Sequence, residues 1–110
     1  MRPYMSVKPF VKDLNTYVMS LAHTILREET KEKNIQMRCQ KITTEHPGMH
    51  TYLIIEKITE EILQIIRDSV EKDPFVSEEK NKQYMPNIDD LYQARLLLVL
   101  QKQLRIHPFS

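Results

Sequence analysis

The segment from Thr51 to Lys72 constrains the fold of this chain more than any other stretch. Isoleucines recur in it at alternating spacings of three and four residues: Ile55, Ile58, Ile62 and Ile65. This spacing places their side chains on one face of an α-helix. Charged residues occupy much of the remaining circumference, so the helix is amphipathic and has to bury its apolar side. The segment therefore predicts a central packing helix.

The first predicted helix begins near Ser6, a candidate N-cap that is followed by Pro9 in the first turn. Its apolar residues repeat at the same helical spacing: Val11, Leu14, Val18, Leu21 and Ile25. A charged run then predicts an end at about Lys33, where Asn34 can stop the helix. Residues 1–6 show little periodicity and are expected to form an exposed N-terminal arm.

The last predicted helix opens at Asn87, a candidate N-cap, and two aspartates in its first turn complement the helix dipole. We expect it to end at His107, which precedes a proline. The central helix is expected to stop at Asp73, because Pro74 cannot donate a hydrogen bond to the preceding turn. Residues 74–86 are then predicted to be a polar connector.

The region between the first and central helices fits two interpretations. Apolar and polar residues alternate from Ile35 to Cys39, as in a half-buried strand, and turn residues follow. With residues 49–55 as the return strand, this pattern predicts a short β-hairpin. In the other interpretation a helix begins early, at His46-Pro47. The sequence leaves this choice open.

Length and composition indicate one globular domain. A chain of 110 residues, with 41% hydrophobic and 28% charged residues, is large enough for one core and too short for two.

No apolar run approaches the length of a transmembrane helix, and one cysteine cannot form an intramolecular disulfide, so we expect an intracellular protein, cytoplasmic or nuclear. The predicted fold is mainly α: a single domain over residues 1–110, built as a small three-helix bundle with a short β-hairpin between helices 1 and 2 left open.

A metal site or an enzyme is not expected. Cys39, His46 and His50, with Glu45, have a spacing that resembles part of a zinc site, but structural zinc sites usually bring cysteines in pairs. We interpret Cys39 as a small core residue and the histidines as loop residues. One glycine leaves little scope for phosphate-binding loops, so we predict no catalytic residues, no metal and no cofactor.

The last helix carries more apolar surface than a three-helix bundle can bury. Residues 96–100 are five consecutive apolar residues, which on a helix project at steps of about 100° and so face every direction. At least one must point outward, and a second copy of the chain or a different protein is expected to cover it. The predicted partner-binding residues are Tyr92, Leu96, Leu97, Leu98, Val99 and Leu104, with Arg95 and Lys102 at the rim. The sequence thus predicts a protein–protein interaction module, as a homodimer or as a subunit of a hetero-complex.

The alternative prediction is a small regulatory protein associated with nucleic acid. It depends on a modest basic cluster between positions 31 and 41, made of Lys31, Lys33, Arg38 and Lys41. Neighbouring glutamates dilute this cluster, and a net charge of +1 does not favour a strongly anionic partner. Nucleic-acid binding therefore ranks second.

Overall fold

The computed structural model describes residues 13–80 and 84–106 of the chain. Within these residues the polypeptide forms helices and no strand: α1 (Leu14–Glu29), α2 (Glu32–Glu45), α3 (Thr51–Lys72), α4 (Pro74–Glu79) and α5 (Ile88–Ile106). In the same part of the chain no helix combines the length and the apolar character needed to cross a membrane. The predicted mainly α fold is confirmed.

Helix α2 replaces the predicted β-hairpin, so the strand expected over Ile35–Cys39 is wrong. Ile35, Cys39 and Ile42 are buried, and their spacings of four and three place them on one helical face. Met37, the third apolar residue of the apparent alternation, is 62% exposed. The alternation was too short to distinguish the two periods, because positions i and i+4 share a face in both a strand and a helix.

A break separates α1 from α2, although the sequence predicts one helix as far as Lys33. The Thr30 hydroxyl and its backbone N–H both donate to the Leu26 carbonyl, at 2.7 and 3.0 Å. Lys31 then has an extended backbone, with φ −60° and ψ 142°, which redirects the chain into α2. At the other end α1 is capped by Asp13, whose Oδ1 accepts from the Thr16 N–H at 2.7 Å. The predicted cap Ser6 and the arm over residues 1–6 lie outside the described residues.

Helix α3 lies where the sequence predicts the central helix and ends as predicted before Pro74, but it does not begin as early as His46-Pro47. His50 caps its start, since Nδ1 accepts from the Tyr52 N–H at 3.1 Å, and Gly48 in the preceding turn has φ +83°, a conformation that favours glycine. Asp73 ends α3 and also starts α4, because its Oδ1 accepts from the N–H groups of Phe75 and Val76 at 2.9 and 3.2 Å. The predicted connector over 74–86 is therefore partly helical.

The core is assembled around α3, which contacts each of the other four helices. The start of α1 lies near the end of α3, where the Tyr17 hydroxyl donates to Asp73 Oδ2 at 2.8 Å. Arg67, near the end of α3, likewise bonds Asp89 at the start of α5. Helices α1 and α5 therefore both run antiparallel to α3. Eight residues of α3 are buried: Ile54, Ile55, Ile58, Thr59, Ile62, Leu63, Ile66 and Val70.

Candidate protein-binding face

Three polar contacts fix the orientation of α5 on the bundle. The Arg67 guanidinium bonds both Asp89 and Glu60, the latter at 2.7 Å. In the next turn of α5 the Tyr92 hydroxyl donates to the Met19 carbonyl of α1 at 3.2 Å. Further along, the Gln103 side-chain amide donates to the Thr30 carbonyl at 2.7 Å. Contacts near both ends of one helix determine which of its side chains face the core.

The protonation states of Arg67 and Tyr92 support two of these polar contacts. The hydrogen bond to Glu60, together with that to Asp89, raises the pKa of the Arg67 guanidinium and keeps it cationic. Burial raises the pKa of the Tyr92 phenol, so the hydroxyl keeps the proton that it donates. At neutral pH both groups therefore carry the protons that these hydrogen bonds require.

The inner face of α5 is a single row of buried residues four positions apart: Ile88, Tyr92, Leu96, Leu100 and Leu104. Tyr92, Leu96 and Leu104 were predicted to bind a partner, and this placement corrects that prediction. Their side chains are enclosed by the domain itself because α5 packs on α3 along its length. None of the three offers apolar surface to a second molecule.

The opposite face of α5 is the outer stripe, which we define as Asp90, Leu91, Ala94, Arg95, Leu98, Gln101 and Lys102. Leu98 is 67% exposed and Leu91 is 42% exposed, while Leu97 and Val99 lie half-buried on either side. Arg95 and Lys102, the predicted rim, are exposed. Of the residues predicted to bind a partner, Leu97, Leu98 and Val99 are the ones whose side chains reach the surface of the domain.

Leu91 belongs to this face, although the sequence prediction did not include it among the partner-binding residues. The signal was its spacing of seven from Leu98, two helical turns along one face. Shallow recesses lie at both ends of the outer stripe, one of about 510 Å³ beside Tyr84 and Leu91 and one of about 340 Å³ beside Leu98 and Lys102. The surface of the outer stripe is therefore uneven at both ends.

The predicted basic cluster is largely neutralised by glutamates. Lys31 pairs with Glu28 at 3.0 Å. Arg38 bridges Glu29 and Glu61, with both distances 2.8 Å. Burial acts to lower the pKa of Arg38, but these two carboxylates outweigh it, and the net pKa is raised.

Lys33 and Lys41 are exposed, and no ion pair involves them in the described part of the chain. They lie eight residues apart on α2, about 12 Å along the helix axis. Nucleic-acid binding stays a prediction that no contact in this structure favours.

The zinc-like spacing does not come together in space. Cys39 is buried in the core and its pKa is raised by that burial, whereas His46 is exposed and His50 caps α3. Among the residues at 13–80 and 84–104, no group of three or more histidine, cysteine or acidic side chains is arranged to hold a metal ion. Cys39 packs as the small core residue that the sequence favours.

A groove of about 580 Å³ between α1 and α3 is a further concavity among the described residues. Ile25 and Ile65 form its half-buried floor. At its edge Glu28 and Lys31 already pair with each other, so this groove offers a partner fewer free charges than the outer stripe does.

Comparisons with protein-family models, with curated proteins and with solved structures find no match to this chain. The evidence on function is therefore the chemistry of the surfaces described above.

Proposed function

We propose that this chain is a protein–protein interaction module that binds its partner through the outer stripe of α5. The observation that carries the proposal is Leu98, which is 67% exposed in the middle of a helix whose opposite side is buried in the core. Single exposed leucines are common on protein surfaces and need no explanation. Here Leu98 shares one rigid face with Leu91 and is flanked by Leu97 and Val99.

Burying such a face on a partner is energetically favourable. Complete burial of one leucine side chain is worth about 1.5–3 kcal/mol, and α5 is already ordered, so little conformational entropy is lost on binding. Arg95 and Lys102 beside the leucines can contact polar groups of the partner at the rim of the interface. An apolar centre with a charged rim is the usual composition of such interfaces.

We also propose that α1, α3 and α5 constitute the three-helix bundle that the sequence predicts, with α2 and α4 added to it. In support of this, the two outer helices are antiparallel to α3 and are joined to each other by the Tyr92 and Gln103 contacts. An intracellular location, cytoplasmic or nuclear, belongs to the same proposal, because the single cysteine provides no disulfide for an oxidising compartment.

The test compares two leucine-to-glutamate variants at exposed positions. Leu98→Glu places a charge in the outer stripe, and Leu53→Glu places the same charge on α3, where Leu53 is 50% exposed. Both variants should remain folded by circular dichroism. We expect affinity capture from the native cell extract, together with light scattering, to show a stoichiometric complex for the wild type and for Leu53→Glu but not for Leu98→Glu. A complex that Leu98→Glu retains in full would overturn the proposed binding face.

A further inference from the structure

We propose that the partner is a second copy of this chain, bound in a parallel orientation through the outer stripe of α5. This inference rests on the proposed function and adds to it the identity and direction of the partner helix. The spacing along the outer stripe and the signs of its charges carry the argument.

The centre of the stripe has the spacing of a two-stranded coiled coil over four successive a and d positions, three of them apolar. Leu91 and Leu98 are seven residues apart, and Ala94 and Gln101 repeat three residues after each of them. These are the a and d positions of a heptad, the positions that meet a second helix. Leu96 then occupies position f, which points away from such a partner, and Leu96 is completely buried in its own domain. The helix can therefore use both faces at once.

The two a positions are leucines, whereas of the two d positions Ala94 is small and Gln101 is polar. Ala94 lies between the two leucines, and its short side chain allows two helices to approach closely at that level. Leu98, more exposed than Leu91, has room to insert beside the Ala94 level of the second helix. The seam is short, so we expect dimerisation at micromolar concentrations and not an obligate dimer.

The flanking charges select the parallel orientation. Asp90 is at position g and Arg95 is at the following position e, five residues later. In a parallel pair, a g residue of one helix faces the e residue five positions later in the other, so Asp90 meets Arg95 of the second copy, and symmetry makes this contact twice. The two residues cannot pair within one helix, because only positions three and four apart are neighbours. Both are exposed and form no ion pair with any residue in the described part of the chain.

An antiparallel pair would bring like charges together. In that orientation e positions face e positions, which places Arg95 and Lys102 of one copy against Arg95 and Lys102 of the other. Cations that face each other across an interface are unfavourable. The charge pattern therefore favours parallel over antiparallel pairing of the same apolar stripe.

Disulfide cross-linking distinguishes the two orientations. Leu91→Cys and Gln101→Cys are made separately, with the buried Cys39 left in place. In a parallel dimer each new cysteine lies beside its own counterpart, so both variants should form covalent dimers under mild oxidation. In an antiparallel dimer they cannot both do so, because the two positions are about 15 Å apart along the helix. Leu53→Cys, exposed on α3 and outside the seam, is the matched control and should form no covalent dimer.

Charge reversal is the second measurement. Sedimentation equilibrium should show that Asp90→Lys and Arg95→Asp each weaken dimerisation about fivefold, since two symmetry-related pairs are lost. The double variant should restore the wild-type affinity.

A monomeric wild type, cross-linking at only one of the two positions, or no recovery in the double variant would overturn parallel self-association. Loss of a hetero-complex in Leu98→Glu would then still support the proposed function. If Leu98→Glu changes neither mass nor captured protein, the proposed function fails as well.

Discussion

Helices α3 and α5 are similar in length and both rich in large aliphatic residues, yet they bury them very differently. Helix α3 has 22 residues and is contacted by four other helices, so almost its whole apolar face is enclosed. Helix α5 has 19 residues and packs mainly on α3. Its inner row is as well buried as that of α3, but Leu98 on the outer stripe faces solvent.

The difference shows that apolar content does not determine burial. A central helix meets neighbours in several directions, whereas a helix at the edge of a bundle is covered on one side only. In α3 the apolar residues match the surfaces available to cover them. In α5 they exceed those surfaces, so Leu91 and Leu98 remain exposed.

The largest effect is expected at the centre of α3. Ile62 is fully buried, so Ile62→Ala should lower the free energy of unfolding by about 2–5 kcal/mol through lost burial and the cavity left behind. Glu56→Ala, on the exposed side of the same helix, should change it little. Urea denaturation followed by circular dichroism measures both. Equal midpoints for the two variants would show that α3 is not the enclosed helix of this comparison.

The next effect separates the two faces of α5. Leu96 is fully buried and Leu98 is 67% exposed, although both are leucines two positions apart. Leu96→Ala should cost about 2–5 kcal/mol, and Leu98→Ala should cost well under half as much when dilute protein is unfolded in urea. Similar losses at both positions would mean that the domain itself encloses the outer stripe.

A smaller loss is expected from the ion pairs that join α2 to α1 and α3. Arg38→Ala removes the contacts to Glu29 and Glu61, and the expected cost in the free energy of unfolding is about 1–2 kcal/mol. Lys57→Ala, at an exposed position of α3, is the control and should be near neutral. The difference between the variants should shrink at high salt, because screening weakens partly exposed pairs. If the difference does not change with salt, the loss of stability comes from packing of the aliphatic part of the Arg38 side chain and not from its ion pairs.

The smallest effect has the opposite sign. The Thr59 hydroxyl is buried in α3 and has no hydrogen-bond partner among the described residues. Thr59→Val keeps the shape and removes the unsatisfied group, so it should raise the free energy of unfolding by about 1 kcal/mol. Thr43→Val is the matched control, since the Thr43 hydroxyl donates to the Cys39 carbonyl, and it should bring no gain. A destabilised Thr59→Val variant would indicate that the hydroxyl does bind a group inside the core.

Helix ends that carry strong local sequence signals were predicted correctly, whereas the segment with an ambiguous pattern was not. Asp73-Pro74 marks the end of α3, and Asn87 caps α5 as predicted, with Oδ1 accepting from the Asp90 N–H at 3.2 Å. Proline geometry and capping hydrogen bonds act within a few residues, so sequence is enough to locate them. The region around Cys39 failed because a run of five residues fits a strand and a helix equally well, and packing against α3 decided in favour of the helix.

The outward face of α5 was predicted only in part, because helix geometry alone does not specify how a helix is rotated about its axis. Five consecutive apolar residues required that some side chain of α5 face outward, and this follows from helix geometry alone. Which one does so depends on how α5 is rotated about its axis.

The sequence by itself determined that this protein is mainly helical, where α3 lies and that α5 carries excess apolar surface, because these properties follow from periodicity and composition. Only the tertiary structure decided that Leu96 faces inward and Leu98 outward. That choice depends on contacts between residues distant in sequence, chiefly Arg67 with Asp89, Tyr92 with Met19 and Gln103 with Thr30. Such contacts form only when the helices have packed, and no local pattern specifies them.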